Sequence, residues 1–389
     1  MKHFKRYARR CMRYFMRRIF FPALYCLGCL RKIDPKLVLF VNDLVDFMPD
    51  NFIPLMKELT AQGFTCVHLG KRQGNRMAQY GQLARYYLLY ARAHTVFLVE
   101  GLLFTSCIKP RRGTRIVQLW HGCGAFKQWG YSTLGTNWGD NIKAFKWFPT
   151  HRHYTFASVS APEVIPHYAE AFGCKPELIH PWGAPRTDFF FASGMAEQCR
   201  KQVLEAMPEI GNRKLVLYAP TFRGNNMKKA RHDDVLDYEL MQQELGKHCA
   251  LLFKPHPRAR APVPEPGKDK TPFVFDAADI PIHVLLCAAD LVITDYSSLI
   301  FEYSLLERPM LFYAYDLAQY DKTRSFYYPY LDFVPGDLVW DTEDVIAGIK
   351  TNLLESRFDA KRVRKFREKF MSACDGNSTQ RIIEKVFGE

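Results

Sequence analysis

The stretch "LVITDYSS", residues 291–298, runs apolar from Leu291 to Ile293, turns polar at Thr294 and Asp295, and ends in two serines. A short apolar run that does not alternate is the pattern of a strand buried on both faces, as in a parallel sheet covered by helices. The same pattern recurs along the chain. In the first half it appears as "LVLFVN" (37–42), "FTCVHL" (64–69), "TVFLVE" (95–100), "RIVQLW" (115–120), "YTFASVS" (154–160) and "ELIHPWG" (177–183). In the second half it returns as "KLVLYAP" (214–220), "ALLFKPHP" (250–257), "PFVFD" (272–276) and "PMLFYAYD" (309–316). Stretches with helical periodicity, such as 51–63 and 162–173, lie between the runs. Two halves of this rhythm predict an α/β chain with two Rossmann-like domains. The join falls near "HPWGAPRTDFFF" (180–191), before a helix over 194–207, which divides the body into residues 37–184 and 185–389.

A length of 389 residues suits two globular domains, and 48% hydrophobic with 24% charged residues is the composition of a folded chain. The net charge of +14 is local: residues 1–36 hold eleven Lys or Arg against the single acid Asp34, which accounts for ten of the fourteen charges. In that segment Phe4, Tyr7, Ala8, Cys11, Met12, Phe15 and Met16 recur at three- and four-residue spacing with arginines opposite, a basic amphipathic helix. Such a helix lies on an anionic membrane, each basic residue adding on the order of 1 kcal/mol. The apolar run from Ile19 to Leu30 is too short to span a bilayer, contains Pro22 and is followed by no small-residue cleavage site. Residues 1–36 are therefore expected to form an uncleaved membrane-surface anchor, with a solvated or dimer-forming helix as the alternative. Eleven scattered cysteines, with Cys26 and Cys29 in an apolar context, fit a reducing cytoplasm better than a disulfide framework.

Ligands of doubly wound sheets sit at the carboxyl ends of the strands. In the second half those ends read "YAPTFRGN", "FKPHPR" and "TDYSSLIFEY". They carry Thr221 and Arg223, then Lys254, His256 and Arg258, then Ser297 and Ser298 at a helix start with Glu302 one turn later. Each has a plain reading: a turn, a surface loop, an N-cap. Their coincidence in one half predicts a nucleotide diphosphate cradle built from cations, hydroxyls and a helix terminus. In the first half, "VQLWHGCGAFKQWG" (117–130) delivers His121 to a strand end, followed by Gly122 and Gly124. With an ordinary pKa near 6.5, a histidine there suits proton abstraction at neutral pH; packing without chemistry is the alternative. With no second ligand at useful spacing, no metal site is expected.

Taken together, "QLWHGCGAFK", "WGAPRTDFF", "LYAPTFR", "FKPHPR", "TDYSSLIFEY" and "RPMLFYAYDLAQYDKTRSFYYPYLDFVPG", in this order, resemble the CDP-glycerol glycerophosphotransferase family of teichoic-acid synthesis, from about residue 37 to the C-terminus. The resemblance implies two Rossmann-like domains facing across a cleft (GT-B type) and peripheral attachment to the cytoplasmic membrane face. It also implies transfer of a polyol phosphate from CDP-glycerol or CDP-ribitol to a lipid-linked saccharide or polyol-phosphate acceptor. It casts His121 as general base and His256 as a contact to the donor diphosphate. Ser297 and Ser298 would match the family's phosphate-binding pair, and Thr221, Arg223 and Glu302 would lie in donor-site motifs. "HGCGAFK" departs from the "HGTPLK" form of part of the family, which keeps the histidine and leaves the acceptor open.

The expected reaction has His121 deprotonate the acceptor hydroxyl as it attacks the β-phosphorus, with Arg223, Lys254, His256, Arg258 and the helix start at Ser297 stabilising the charge and CMP leaving. No tightly bound cofactor is expected. Two rivals stand beside this reading. One is a nucleotide-sugar glycosyltransferase of the same fold. The other is a membrane-tethered nucleic-acid-binding protein, disfavoured because the positive charge is confined to the first 36 residues instead of running across the folded body.

Overall fold

The computed structural model describes residues 11–12, 14–136, 139, 142, 149–223, 235–256, 272–321 and 325–388. Arg258 and residues 1–10 of the basic N-terminal segment lie outside them. The chain divides into two compact units, one of Met1–Gly122, Trp129–Asp188 and Ala373–Glu389, the other of Cys123–Gln128 and Phe189–Ser372. Residues 373–389, which the sequence rhythm attached to the second half, thus belong to the first unit, and a short piece of the first half belongs to the second.

The first unit holds a six-stranded sheet of β1 (Asp34–Val41), β2 (Thr65–Leu69), β3 (Ala93–Leu98), β4 (Arg115–Gln118), β5 (Phe156–Ser158) and β6 (Ile179–His180). The order is β2-β1-β3-β4-β5-β6 and every pairing is parallel. Val38, Leu39 and Phe40 on β1 are fully buried on both faces, which is why the run does not alternate. The last helix, Ser378–Phe387, closes one face by adding Ile382, Ile383 and Val386 to a core with Phe40, Phe97 and Val117. Asp188 fixes its start, accepting the Ser378 N–H at 3.0 Å and the Thr379 N–H at 2.8 Å.

Near the N-terminus the helix Phe21–Gly28 packs on the helix Arg76–Tyr90. Phe21 stacks on Tyr87 with ring centroids 4.9 Å apart, and the Tyr25 hydroxyl accepts the Arg111 N–H at 2.8 Å. Gly28 is required there, since a Cβ would come within 2.7 Å of the Ala91 Cβ. The apolar run 19–30 is therefore divided: Phe21 and Tyr25 belong to the folded unit, while Ile19, Leu27 and Leu30 stay exposed. Among the described residues no helix is long and apolar enough to cross a membrane.

The second unit is built on β7 (Lys214–Ala219), β8 (Cys249–Phe253), β9 (Val274–Asp276), β10 (Leu291–Thr294), β11 (Met310–Tyr313) and β12 (Asp337–Val339). The order is β12-β11-β10-β7-β8-β9, all parallel. Counted from β7, this is the doubly wound order 3-2-1-4-5-6 read from the other edge. Strand order reverses between β7 and β10, so their carboxyl ends flank the crevice where such sheets bind ligands. In the first sheet the same reversal falls between β1 and β3.

Candidate active site

Beyond β10, Asp295 is 3% exposed and organises the crevice of the second unit. Its Oδ1 accepts the Thr221 N–H at 2.9 Å and the Tyr296 N–H at 2.7 Å, and its Oδ2 accepts the Thr221 hydroxyl at 3.0 Å. Arg223 completes the knot. Its Nη1 donates to Asp295 Oδ2 at 2.8 Å, while Nε and Nη2 grip Asp316 at 2.6 and 2.9 Å. The guanidinium carbon lies 5.2–5.3 Å from the ring centroids of Tyr296, Tyr315 and Tyr320. Burial disfavours the charge, and the two carboxylates more than offset this, so Arg223 holds its proton above the ordinary arginine range. The Tyr296 hydroxyl, raised well above its ordinary value by burial and by Asp316, stays protonated and donates to Asp316 Oδ1 at 2.9 Å.

The predicted donor residues thus form two layers. Thr221, Arg223 and Glu302 are buried, whereas Ser297 and His256 are half-buried and Ser298 is exposed. Ser297 Oγ accepts the Leu299 N–H at 3.4 Å at the start of the short helix Leu299–Ser304, whose N-cap residue Ser298 makes no side-chain cap bond. The His256 ring sits 4.8 Å from that of Phe222, bringing the loops after β7 and β8 together. Lys254 Nζ donates to the carbonyls of Ala278 and Ile280 at 2.5 and 2.7 Å, a clamp on the segment before the helix Ile282–Ala288. Sequence reading treated Arg223 and Lys254 as cations open to a ligand. The folded chain engages the first with two aspartates and the second with two carbonyls.

In the first unit, His121 follows β4 on a turn that places Trp120 at φ +56°, a left-handed conformation that costs an ordinary residue about 1–3 kcal/mol. Several bonds hold that turn. The Trp120 N–H donates to Gln118 Oε1 at 2.8 Å, and Asn51 Nδ2 donates to the Trp120 carbonyl at 2.9 Å. Arg186 Nη1 donates to the His121 carbonyl at 2.7 Å and the Tyr168 hydroxyl to that of Gly122 at 3.0 Å. The Trp120 indole is stacked on Trp129 at 4.0 Å and lies 4.3 Å from the His121 ring. His121 itself is exposed, and its Nδ1 is 2.9 Å from the Val99 carbonyl. A carbonyl can only accept, so Nδ1 carries the proton and the ring lone pair is on Nε2, the tautomer of a base.

The two glycines after His121 differ in role. A Cβ on Gly122 would meet nothing nearer than 3.9 Å, so space is open there. Gly124, at φ +63°, lies against Phe301, whose ring would be 2.0 Å from a Cβ. Its smallness makes room for an aromatic side chain of the second unit's core.

Among the described residues no three His, Cys, Asp or Glu side chains are grouped as a metal site. Asp295, Asp316 and the Trp120 brace were missed in the sequence. "TDYSS" displays Asp295, but its pairing with Arg223 joins residues 72 positions apart.

A family model described as CDP-Glycerol:Poly(glycerophosphate) glycerophosphotransferase matches residues 23–388. The teichoic acid ribitol-phosphate primase of Bacillus spizizenii is 36% identical over 296 residues, 75% of this chain and 74% of that protein. The teichoic acid poly(ribitol-phosphate) polymerase of the same organism is 35% identical over 76% of this chain, a match spanning 47% of the polymerase. The teichoic acid glycerol-phosphate primase of Bacillus subtilis is 29% identical over 77% of this chain and 74% of that protein. Among solved structures, the wall teichoic acid polymerase TagF superposes with a TM-score of 0.73 over 99% of this chain and 97% of that chain, at 19% identity. A UDP-GlcNAc 2-epimerase from Neisseria meningitidis shares the fold more distantly, with a TM-score of 0.51, 12% identity and coverage of 91% of this chain and 99% of that chain.

Proposed function

We propose that this chain, which belongs to the CDP-glycerol:poly(glycerophosphate) glycerophosphotransferase family, transfers a polyol phosphate from a CDP-activated donor to a hydroxyl of a lipid-linked acceptor, releasing CMP, in the synthesis of a teichoic-acid-like polymer. The observation that carries this reading is the Nδ1 contact of His121 to the Val99 carbonyl, which aims a lone pair from an exposed imidazole held on a braced turn. His121 Nε2 takes the acceptor hydroxyl proton as the oxygen attacks the β-phosphorus. The first unit acts as the acceptor domain and the second as the donor domain of a GT-B-type transferase.

On the donor side, His256, Ser297, Ser298 and Arg258 contact the diphosphate, with Thr221, Glu302 and the Arg223 knot behind them. Arg223 and Lys254 work as braces, holding the loops that present the outer groups. Charge on the leaving CMP is stabilised by positioning and hydrogen bonding, the usual source of rate in phosphoryl transfer. The relatives named for ribitol phosphate are 35–36% identical and the glycerol-phosphate primase 29%, which favours CDP-ribitol as donor. The part of the basic N-terminal segment that precedes the buried Phe21 attaches the enzyme to the cytoplasmic membrane face, a reading supported by the exposed Met12, Tyr14, Phe15 and Ile19 beside arginines.

The test is donor competition: CDP-ribitol, CDP-glycerol and a UDP-sugar offered over a lipid-linked acceptor. Consumption of a CDP-polyol with CMP release is expected. Turnover of the nucleotide sugar alone would place the chain among glycosyltransferases instead.

A further inference from the structure

The first sheet has its own crevice, and none of the catalytic or donor-site residues named above lines it. Beside the point where strand order reverses between β1 and β3, a cavity of about 370 Å³ opens at the carboxyl ends of β1 and β2. That volume and that position are those of a small-molecule site in a doubly wound sheet. Tyr86, Leu83 and Phe104 contribute to its apolar lining, and its polar lining includes Asp43, Asp46, Lys71, Arg72 and Arg85 beside His68 and two glutamines.

These polar groups are not equivalent. Arg72 is fixed: Nε and Nη2 donate to Asp43 at 3.0 and 2.5 Å, with the guanidinium 5.4 Å from the Phe104 centroid. The Asp43 loop is held in turn by the Glu100 carboxylate, which accepts the N–H groups of Asp43 and Leu44. Glu100 is 4% exposed and its pKa is raised by burial. Lys71, by contrast, is exposed and makes a solvent-facing pair with Asp46 at 3.1 Å, the kind of contact worth about 0–1 kcal/mol. Arg85 is exposed on the helix Arg76–Tyr90. Arg72 is therefore held in place, while Lys71 and Arg85 are two exposed cations available at little cost to the fold.

A lining with both cations and carboxylates suits a ligand that is an anion and also a hydroxyl donor. Lys71 and Arg85 would contact phosphate oxygens, and Asp43 and Asp46 would accept hydroxyl protons. We infer that this cavity is a subsite for a polyol-phosphate unit of the acceptor, behind the unit that reacts. The inference rests on the polyol-phosphate transferase reading above. Spacing supports it: β1 and β2 lie two and three places from β4, which carries His121, and at about 4.8 Å per strand this is roughly 10–14 Å. The cavity is too distant to hold the attacking hydroxyl and close enough to hold the phosphate of a preceding unit.

The test uses the full-length protein and the double variant Lys71→Gln, Arg85→Gln. In the first arm, a short poly(ribitol phosphate) oligomer is titrated into donor-free protein by calorimetry, with a matched neutral polyol as comparison. The variant should bind the oligomer about tenfold more weakly; unchanged affinity would overturn the subsite. In the second arm, kcat/KM is measured for an acceptor already bearing a polyol-phosphate unit and for one lacking it. The ratio of the two should fall about tenfold in the variant, mainly through KM for the charged acceptor. Equal losses on both acceptors would overturn the subsite. If wild-type protein binds the oligomer but consumes no CDP-polyol, the transferase reading fails while the binding arm still decides the cavity.

Discussion

Arg223 and Asp295, 72 positions apart, form a buried ion pair at 2.8 Å beyond the ends of β7 and β10, and Asp316 grips the far side of the guanidinium. Both partners are nearly inaccessible, so removing the cation would leave the buried Asp295 and the half-buried Asp316 without a counter-charge. Arg223→Met should cost about 3–5 kcal/mol of stability, read by denaturant unfolding. A residue whose role is to touch the donor would instead raise donor KM and leave the unfolding midpoint in place. Arg223→Lys, which keeps the charge and loses the fork, should fall between.

Gly122 and Gly124 provide a second contrast. Alanine at 124 must enter the Phe301 ring from a left-handed backbone, an overpacking that should cost about 1–3 kcal/mol. Alanine at 122 meets nothing nearer than 3.9 Å and should change stability by about 0.5 kcal/mol or less. Thermal melting of the two single variants separates them.

His151, 8% exposed, lies 5.7 Å from Trp120 and donates to or accepts from the Tyr154 hydroxyl at 2.8 Å. Burial, then the neighbouring His121, lowers its pKa from 6.5 to about 4. The unfolded chain therefore binds the proton first as pH falls, so stability present above pH 6.5 is lost between about 6.5 and 4 and changes no further below. The loss should total about 3 kcal/mol. Unfolding curves at pH 7 and pH 4.5 should diverge in the wild type and draw together in His151→Gln. An equal pH dependence in both would contradict the assignment.

Truncation separates the two parts of the N-terminal segment. Removal of residues 1–15 should weaken sedimentation with anionic vesicles and leave the melting temperature unchanged. Removal of residues 1–30 also takes away Phe21 and Tyr25, each buried at 5% exposure or less and worth about 1.5–3 kcal/mol, and should lower the melting temperature as well. Vesicle binding unchanged after the first truncation would remove the anchor from the proposal.

What could be read from the sequence follows from the range of the interactions. Strand cores such as Leu37–Val41 and Leu291–Ile293 are legible because burial on both faces writes itself into consecutive residues. The short β12 (Asp337–Val339) is not, since two of its three residues are not fully buried. The helix Ser378–Phe387 is amphipathic in sequence, but nothing local tells that Asp188, 190 residues earlier, caps it. His121, His256, Ser297 and Ser298 stand out by residue type at strand ends, and all four are accessible or half-accessible in the fold. Arg223 misleads because an arginine beside Gly224 looks solvated until Asp295 and Asp316 arrive from distant strands.

The most direct measurement is the initial rate of CMP release from CDP-ribitol and CDP-glycerol over a lipid-linked acceptor, for the wild type and His121→Gln, with donor affinity measured alongside. Loss of general-base catalysis should lower the rate about 10²–10⁴-fold with donor affinity unchanged. A His121→Gln enzyme that keeps the wild-type rate would contradict the central role given to His121.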